Sequence, residues 1–184
     1  MDSNLQVISG EFRGRKLKLP NGARPTQNLA RGAIFNSLTA TLPGMISKIH
    51  AWDAFAGSGA LGLEVLSRYR NSTVIFTDIS TESVRAITEN VRGIDLARRT
   101  IDKSNAAIQI CKYAHLVNLV FVDPPYDNPD LGIRFVDALA DSGFRGIVVQ
   151  EIEANVDYMP DTTKWTLLRD KTYGRARFLV LHRI

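Results

Sequence analysis

The sequence lacks the features that mark secreted, disulfide-bonded and membrane-spanning proteins. It has a single cysteine, Cys111, in 184 residues, which excludes an internal disulfide and a cysteine-rich zinc site. Its longest apolar runs, such as LVFV at 119–122, are far too short to cross a bilayer, and residues 1–16 contain no apolar segment of the signal-peptide kind. We therefore expect a cytoplasmic protein with no membrane association.

What is present is a core-forming chain with an uneven charge distribution. A chain of this length with 45% hydrophobic residues can form one domain with its own core. Its formal charge is +4, and residues 1–31 alone account for it, with six Lys and Arg side chains against Asp2 and Glu11. Such a basic arm either binds nucleic-acid phosphates or is merely solvated. The candidate phosphate-binding residues are Arg13, Arg15, Lys16, Lys18 and Arg24.

Residues 1–44 are predicted to form a basic appendage, and residues 45–184 the main domain. The appendage pattern indicates an antiparallel hairpin of 5–9 and 15–19, then a helix over 26–42. In the main domain, short apolar strands alternate with helices, which is typical of an α/β fold with a doubly wound, mostly parallel, seven-stranded sheet. Only DKTYG separates the last two strands, so they should form an antiparallel hairpin. The predicted strands are 49–55, 73–78, 99–103, 116–123, 146–151, 165–169 and 176–182, and the predicted helices are 60–70, 81–92, 105–113 and 130–141.

A glycine-rich turn follows the first strand of the main domain. Gly57, Gly59 and Gly62 form a GxGxxG pattern that leaves a strand and opens a helix. Glycines in that context let the backbone turn sharply and approach a ligand closely. By itself the pattern is also compatible with a tight strand-to-helix turn that binds nothing.

Three aspartates follow strands of the same predicted sheet. Asp53, Asp78 and Asp123 each come at the carboxyl end of a strand, where ligands bind in such folds. An acid at the start of the glycine loop repels a pyrophosphate and attracts a cation, which favours S-adenosylmethionine, with its ammonium and sulfonium groups. Asp78 is placed to accept hydrogen bonds from ribose hydroxyls. A nicotinamide dinucleotide remains the alternative for the loop and Asp78 together.

The third aspartate opens the segment Asp123-Pro124-Pro125-Tyr126. The two prolines have fixed φ angles and no N–H donors, so this corner is rigid and rich in acceptors. The Asp123 carboxylate, the Pro124 carbonyl and the Tyr126 ring suit the exocyclic amine of a base, whose two N–H groups need acceptors and whose ring needs a stacking partner. Positioning of that amine would then dominate the rate. A simple strand-ending turn is the other interpretation.

Together these residues resemble class I methyltransferases that modify exocyclic amines, and more narrowly the bacterial ribosomal RNA small subunit methyltransferase D family. The resemblance runs almost from end to end. It rests on SGEFRGRKLKLP (9–20), RPT (24–26), RGAIFNSL (31–38), DAFAGSGALGLEVLSR (53–68), FVDPPYD (121–127) and TYG (172–174). The resemblance implies a Rossmann-like fold and methyl transfer from S-adenosylmethionine to guanine N2 in 16S ribosomal RNA, at guanine 966, without a metal.

The resemblance also implies roles for individual residues. Asp53, Gly57 and Gly59 would hold the methionine end of the cofactor, Asp78 its ribose and Asn105 its adenine. The other residues expected to contact the cofactor are Phe55, Ser58, Ile79, Ala106 and Asp123. The guanine pocket would consist of Asp123, Pro124, Pro125 and Tyr126, and Thr26 and Arg31 would join the arm in binding RNA. Two positions depart from the family pattern: Gly32 stands where many relatives have Glu, and Ser80 where a second acid is common.

Other functions stay open at this level. The DPPY corner also resembles that of enzymes that methylate adenine N6 or a protein glutamine, and a non-catalytic RNA-binding relative is a further alternative. The expected partner is 16S ribosomal RNA in a small-subunit assembly particle, with the protein acting as a monomer. Cys111, His50 and His115 are interpreted as structural, and Phe35 and Trp52 as packing residues.

Overall fold

The computed structural model describes residues 5–20, 28–41, 48–125 and 127–183. A seven-stranded sheet has the strand order β3-β2-β1-β4-β5-β7-β6. The first five strands are parallel, and β7 runs antiparallel between β5 and β6. The strands are β1 (His50–Asp53), β2 (Thr73–Asp78), β3 (Arg99–Lys103), β4 (Leu119–Val122), β5 (Gly146–Glu153), β6 (Thr166–Tyr173) and β7 (Ala176–Arg183). The predicted fold class is confirmed.

Helices cover both faces of the sheet, so each face has its own apolar core. On one face, α1, α2 and α3 pack on residues such as Phe76 and Phe121. On the other face, α4 and α5 enclose Trp52, whose ring contacts Tyr113 and Phe135 edge-on. The helices are α1 (Asn28–Thr41), α2 (Ala60–Arg68), α3 (Thr81–Asn90), α4 (Ile110–Tyr113) and α5 (Pro129–Asp141). None of the described helices combines the length and apolarity needed to cross a membrane.

The structure corrects several predicted boundaries. The predicted strand 116–123 is shorter, because a 3-10 turn occupies Ala114–Leu116 and the strand begins at Leu119. Residues 106–109 form a 3-10 helix before α4 rather than one continuous helix. The predicted loop DKTYG, residues 170–174, is wrong in its first four residues, which continue β6 to Tyr173 and pair with β7. Arg177 of β7 binds the Asp170 carboxylate and so stabilises this longer pairing. Gly174, with φ +60°, makes the turn.

The part of the arm described before α1, residues 5–20, packs on the main domain. Its predicted antiparallel hairpin is present and short: the Leu17 N–H donates to the Leu5 carbonyl at 2.9 Å, the Val7 N–H donates to the Arg15 carbonyl at 3.0 Å, and Gln6 lies opposite Lys16. Leu5, Val7 and Leu17 are buried in the core that also contains α2. The fully buried carboxylate of Glu64 accepts a hydrogen bond of 2.6 Å from the Ile8 N–H. The predicted division of the chain at residue 44 stays a prediction, because residues 42–47 lie outside the described ranges.

Candidate active site

The three aspartates meet at one edge of the sheet, as the strand pattern predicts. β1 lies between β2 and β4, and Asp53 is in register with Phe76 and Phe121. The charges of Asp123 and Asp78 both contribute to raising the pKa of Asp53, so both neighbouring carboxyl groups are within electrostatic reach of Asp53. An edge at which acidic side chains converge attracts a cation.

Asp53 is the most unusual titratable group of this edge. Its side chain is 2% exposed, and one carboxylate oxygen accepts a hydrogen bond of 2.9 Å from the Gly62 N–H. Burial is the largest cause that raises its pKa to about 8, the Gly62 N–H opposes the rise, and the two neighbouring acids add to it. This carboxyl group is largely protonated at neutral pH, and a cation bound beside it would favour its charged form.

The glycine loop joins β1 to α2 and approaches β2 closely. Gly57 and Gly59 have φ angles of +54° and +76°, which favour glycine. Gly62 has a different role: a Cβ there would lie 2.3 Å from the Phe76 ring. The first two glycines therefore shape the turn, and the third lets α2 pack tightly on the sheet.

Asp78 is tied to the loop through backbone contacts. One oxygen of its carboxylate accepts a 2.8 Å hydrogen bond from the Gly57 N–H, and the other accepts one of equal length from the Ser80 N–H. The Ser80 hydroxyl in turn caps α3 by accepting from the Ser83 N–H at 3.3 Å, which gives a local reason for serine at this position. Ile79, between the two, is 71% exposed and offers an apolar surface beside the carboxylate.

The remaining predicted cofactor residues lie near this edge. The Ser104 N–H binds the Asp78 carbonyl at 3.1 Å, which brings the turn after β3 next to β2. Asn105 caps the following 3-10 helix through the Ala107 N–H, and Ala106 is buried beneath it. Phe55 packs edge-on against Phe135, and the Ser58 carbonyl accepts a hydrogen bond from the Asn90 amide.

The proline corner is held from behind by α5. Pro124 is buried and Pro125 is exposed, and a Cβ at Gly132 of α5 would lie 2.9 Å from the Pro124 ring. Glycine at 132 therefore lets α5 press directly on the corner that follows β4. Tyr126 lies outside the described residues.

Gln150 is a residue of this region that sequence reasoning missed. Its side chain is fully buried, and neither its amide oxygen nor its nitrogen has a hydrogen-bond partner among the described residues. The nitrogen is 3.6 Å from the position a Gly132 Cβ would occupy. The available signal was a glutamine directly after the apolar run GIVV of this strand.

The basic arm divides into exposed and engaged side chains. Arg13 and Lys16 are exposed. Arg15 donates to the carbonyls of Asn90 and Arg92 and lies over the Phe12 ring, and Lys18 pairs with Glu89.

Arg31, predicted to bind RNA, is fully buried and donates to the Gln6 carbonyl at 2.7 Å. Burial is also the largest cause that lowers its pKa. A phosphate-binding side chain must reach solvent, so the prediction for Arg31 does not fit its position. Arg24 and Thr26 lie outside the described residues.

The five residues interpreted as structural or packing residues are also described. The His50 ring shares a 2.7 Å hydrogen bond with Thr73, and His115 lies in the 3-10 turn before β4. Cys111 is exposed on the short helix α4. Phe35 and Trp52 are fully buried in the two cores, as packing residues.

Known proteins resemble this chain over nearly its whole length. Residues 5–182 match the family model described as conserved hypothetical protein 95. The ribosomal RNA small subunit methyltransferase D of Escherichia coli K12 is 32% identical over 187 aligned positions, which cover 97% of this chain and 90% of that protein. A solved Escherichia coli structure, described as a methyltransferase, has a TM-score of 0.78 at 30% identity and covers 97% of both chains. A hypothetical protein of Thermus thermophilus has a TM-score of 0.79 at 25% identity, covering 97% of this chain and 99% of that one.

Proposed function

The chain belongs to the ribosomal RNA small subunit methyltransferase D family, and from that premise we propose that it methylates the exocyclic N2 of a guanine in 16S ribosomal RNA. Membership makes it an S-adenosylmethionine-dependent ribosomal RNA methyltransferase. The methylated atom, guanine N2, and the nucleotide, guanine 966 by resemblance, are parts of our proposal, as are the roles of individual residues.

The residues of the acidic edge fit the cofactor. S-adenosylmethionine, when bound, supplies an electrophilic methyl group and carries the ammonium and sulfonium charges that this edge would neutralise. The observation that supports the fit is the buried Asp53, whose pKa is raised to about 8 and whose described hydrogen-bond donor is one backbone N–H. Asp53 and the loop of Gly57, Ser58 and Gly59 would hold the methionine end.

The opposite end of the cofactor would lie along β2 and β3. Asp78 presents a carboxylate for the ribose hydroxyls, and Ile79 presents the apolar surface beside it on which an adenine ring can pack. Asn105 and Ala106 follow β3 at the same edge. Phe55, packed on Phe135, would border the methionine end.

The proposal for the substrate rests on the rigid proline corner that begins at Asp123. Asp123 and the Pro124 carbonyl are acceptors that together match the two N–H groups of an exocyclic amine. Pro124 is fixed by Gly132 of α5, so these acceptors are held in place before the substrate arrives, and most of the rate enhancement would come from orientation. Asp123 accepts a hydrogen bond from the amine and does not need to remove a proton before the methyl–nitrogen bond forms. Pro125 and Tyr126 would flank the base.

The exposed arm side chains Arg13 and Lys16 are the proposed phosphate contacts of the N-terminal segment, and Arg24 and Thr26 join them as proposals. Arg15 and Lys18 are proposed only as secondary contacts, because both already bind groups of α3 or the residues after it. The expected partner remains 16S ribosomal RNA in an assembling small subunit, with the protein acting as a monomer.

The test is methyl transfer from labelled S-adenosylmethionine to unmethylated naked 16S RNA, to assembling small-subunit particles and to finished subunits. The product is digested to nucleosides, and the modified position is mapped. We expect N2-methylguanosine at one position. N6-methyladenosine, or label in protein, would assign another amine methyltransferase activity. Absence of methyl transfer from S-adenosylmethionine on all three substrates would indicate a protein that binds RNA without catalysis.

A further inference from the structure

A second basic surface lies on the other side of α1 from the arm. It is a pocket of about 250 Å³ between α1 and the β6–β7 hairpin. Asn36 and Ser37 of α1 form one wall, and Arg169, Lys171 and Tyr173 of β6 form the other. Its floor is apolar and includes the buried Phe178.

Strand alternation places these cations together. Residues 169, 171 and 173 pair with Val180, Phe178 and Ala176 of β7, so their side chains point to the face that α1 covers. The neighbouring Asp170 points to the opposite face, where its carboxylate is bound by Arg177 at 2.7 and 2.9 Å. On one face of the hairpin, Arg177 therefore neutralises Asp170, and the opposite face carries the cations Arg169 and Lys171.

Arg169 and Lys171 are available for a ligand. Both are exposed, and neither forms an ion pair with a carboxylate of the described residues. A guanidinium fork, an ammonium group and the amide side chain of Asn36 are the donor set that proteins use for a phosphate.

The pocket lies at the catalytic edge of the sheet. Val122 is in register with Gln150, Gln150 with Leu179, and Leu179 with Asp170. Asp123 directly follows Val122, and Lys171 directly follows Asp170. The two residues therefore lie at the same height along the strands, three strand spacings or about 14 Å apart across the sheet. Helix α1 spans this distance on the same face, since Phe35 packs on Phe121 with ring centroids 5.8 Å apart and the next residue, Asn36, lines the pocket.

We propose that this pocket binds a phosphodiester of the RNA strand whose target base enters the Asp123–Pro124 corner. The inference rests on the proposed function and names a substrate contact that the arm does not provide. The arm and the pocket then hold the strand on the two sides of α1. Contacts of this kind bind the backbone irrespective of base and position the strand relative to the corner.

The experiment compares Arg169→Gln/Lys171→Gln with a matched control, Arg70→Gln/Arg145→Gln. The control removes the same charge from exposed positions next to the amino ends of β2 and β5. Affinity for an unmethylated 16S fragment is measured at several salt concentrations, together with kcat and KM for methyl transfer. Thermal midpoint and S-adenosylmethionine affinity verify the fold of each variant.

For the pocket variant we expect RNA affinity to fall about tenfold and the slope of log affinity against log salt to decrease by about 0.7, the value for one phosphate contact on a single strand. KM should rise while kcat stays near that of the parent, because the contact positions RNA and does not touch the reacting atoms. The charge-preserving Arg169→Lys/Lys171→Arg should recover most of the affinity. The control should remain near the parent.

Equal RNA affinity and KM in the pocket variant and the control would overturn the proposal. So would a loss that appears on small-subunit particles and not on naked RNA, since that pattern assigns the pocket to a ribosomal protein. A parent protein that methylates guanine normally in the same assays separates these outcomes from failure of the proposed function. If the parent neither binds nor methylates RNA, both proposals fall.

Discussion

The backbone N–H of Gly57 donates a 2.8 Å hydrogen bond to the carboxylate of Asp78. This contact ties the glycine loop after β1 to the end of β2, so one side chain both shapes the loop and borders the proposed ribose site. Because the Ser80 N–H occupies the second oxygen of the same carboxylate, both oxygens are needed as acceptors.

Asp78→Asn should therefore affect the loop and the cofactor together. The amide has one acceptor oxygen and places an NH₂ group against the other backbone N–H. We expect a loss of about 1–3 kcal/mol in unfolding free energy and at least about tenfold weaker S-adenosylmethionine binding, measured by calorimetry. Asp95→Asn is the matched control, since Asp95 caps one exposed turn through Ala97. Unchanged S-adenosylmethionine affinity in Asp78→Asn would show that Asp78 does not bind the cofactor.

Two glycine substitutions should differ in their effect on stability. Gly62→Ala places a methyl group 2.3 Å from the Phe76 ring, inside the contact between α2 and β2. The resulting overpacking should destabilise the fold by about 1–3 kcal/mol or more. Gly57→Ala meets no neighbour within 4 Å and only strains a φ of +54°, which costs about 1–2 kcal/mol. Urea unfolding compares the two, and a Gly62→Ala protein as stable as the parent would contradict the close packing.

The raised pKa of Asp53 predicts a pH dependence with a definite sign. A carboxyl group whose folded pKa is about 8 retains its proton in the fold at pH values where the unfolded chain has lost it. Its contribution to stability is therefore complete below the unfolded value near 4 and is lost as pH rises through about 8. Ligand-free Asp53→Asn should show a flatter dependence of thermal midpoint on pH over this interval.

Cofactor binding should release the same proton. At pH 7 the carboxyl group is largely protonated in the free protein, and a bound ammonium favours its charged form. We expect a release of close to one proton per bound S-adenosylmethionine, measured by calorimetry in buffers of different ionisation enthalpy, and no release in Asp53→Asn. Equal release from the variant would show that another group titrates.

Asp123→Ala should abolish methyl transfer while leaving S-adenosylmethionine binding largely intact. The substitution removes an acceptor that holds the amine, and the rest of the acidic edge still attracts the cofactor. Asp127→Ala, an exposed acid two residues beyond Pro125, is the positional control and should stay within a few-fold of the parent. Loss of S-adenosylmethionine binding in Asp123→Ala would show that this carboxylate binds the cofactor and not the substrate amine.

The arm residues should separate into two classes. Arg13→Ala/Lys16→Ala should weaken RNA binding and lower its salt dependence without changing the thermal midpoint, because both side chains are exposed. Arg15→Ala should lower the unfolding free energy by about 1–2 kcal/mol, since it removes hydrogen bonds to the Asn90 and Arg92 carbonyls. Identical salt dependence of RNA binding in parent and double variant would exclude the exposed arm cations as phosphate contacts.

Much of the site could be predicted from local sequence, because its residues come at strand ends. Asp53, Asp78 and Asp123 terminate or follow apolar runs, and the parallel pattern alone implies that such ends share an edge. The glycine loop and the two prolines are visible in the same way, since their backbone restrictions do not depend on distant contacts. The strand-and-helix alternation likewise predicted the sheet, with errors mainly at the boundaries of β4, α4 and β6.

Properties that depend on distant neighbours could not be predicted in this way. Arg31 belongs to a basic segment by sequence and yet is fully buried, with its guanidinium bound to the Gln6 carbonyl. Arg15 and Lys18 alternate with apolar residues like solvated strand cations, but they are bound to α3 and the residues after it, more than seventy positions away. Lys171 falls in what local turn signals predict to be a loop, whereas pairing with Phe178 makes it part of the pocket wall.

By itself, the sequence determined the order of strands and helices, the acids at the sheet edge and the rigid proline corner, because each follows from backbone preferences and side-chain chemistry close along the chain. The tertiary structure decided the raised pKa of Asp53, the burial of Arg31 and the alignment of Lys171 with the level of Asp123. Each of these depends on solvent exclusion or strand register, which arise only when residues far apart in the chain pack together.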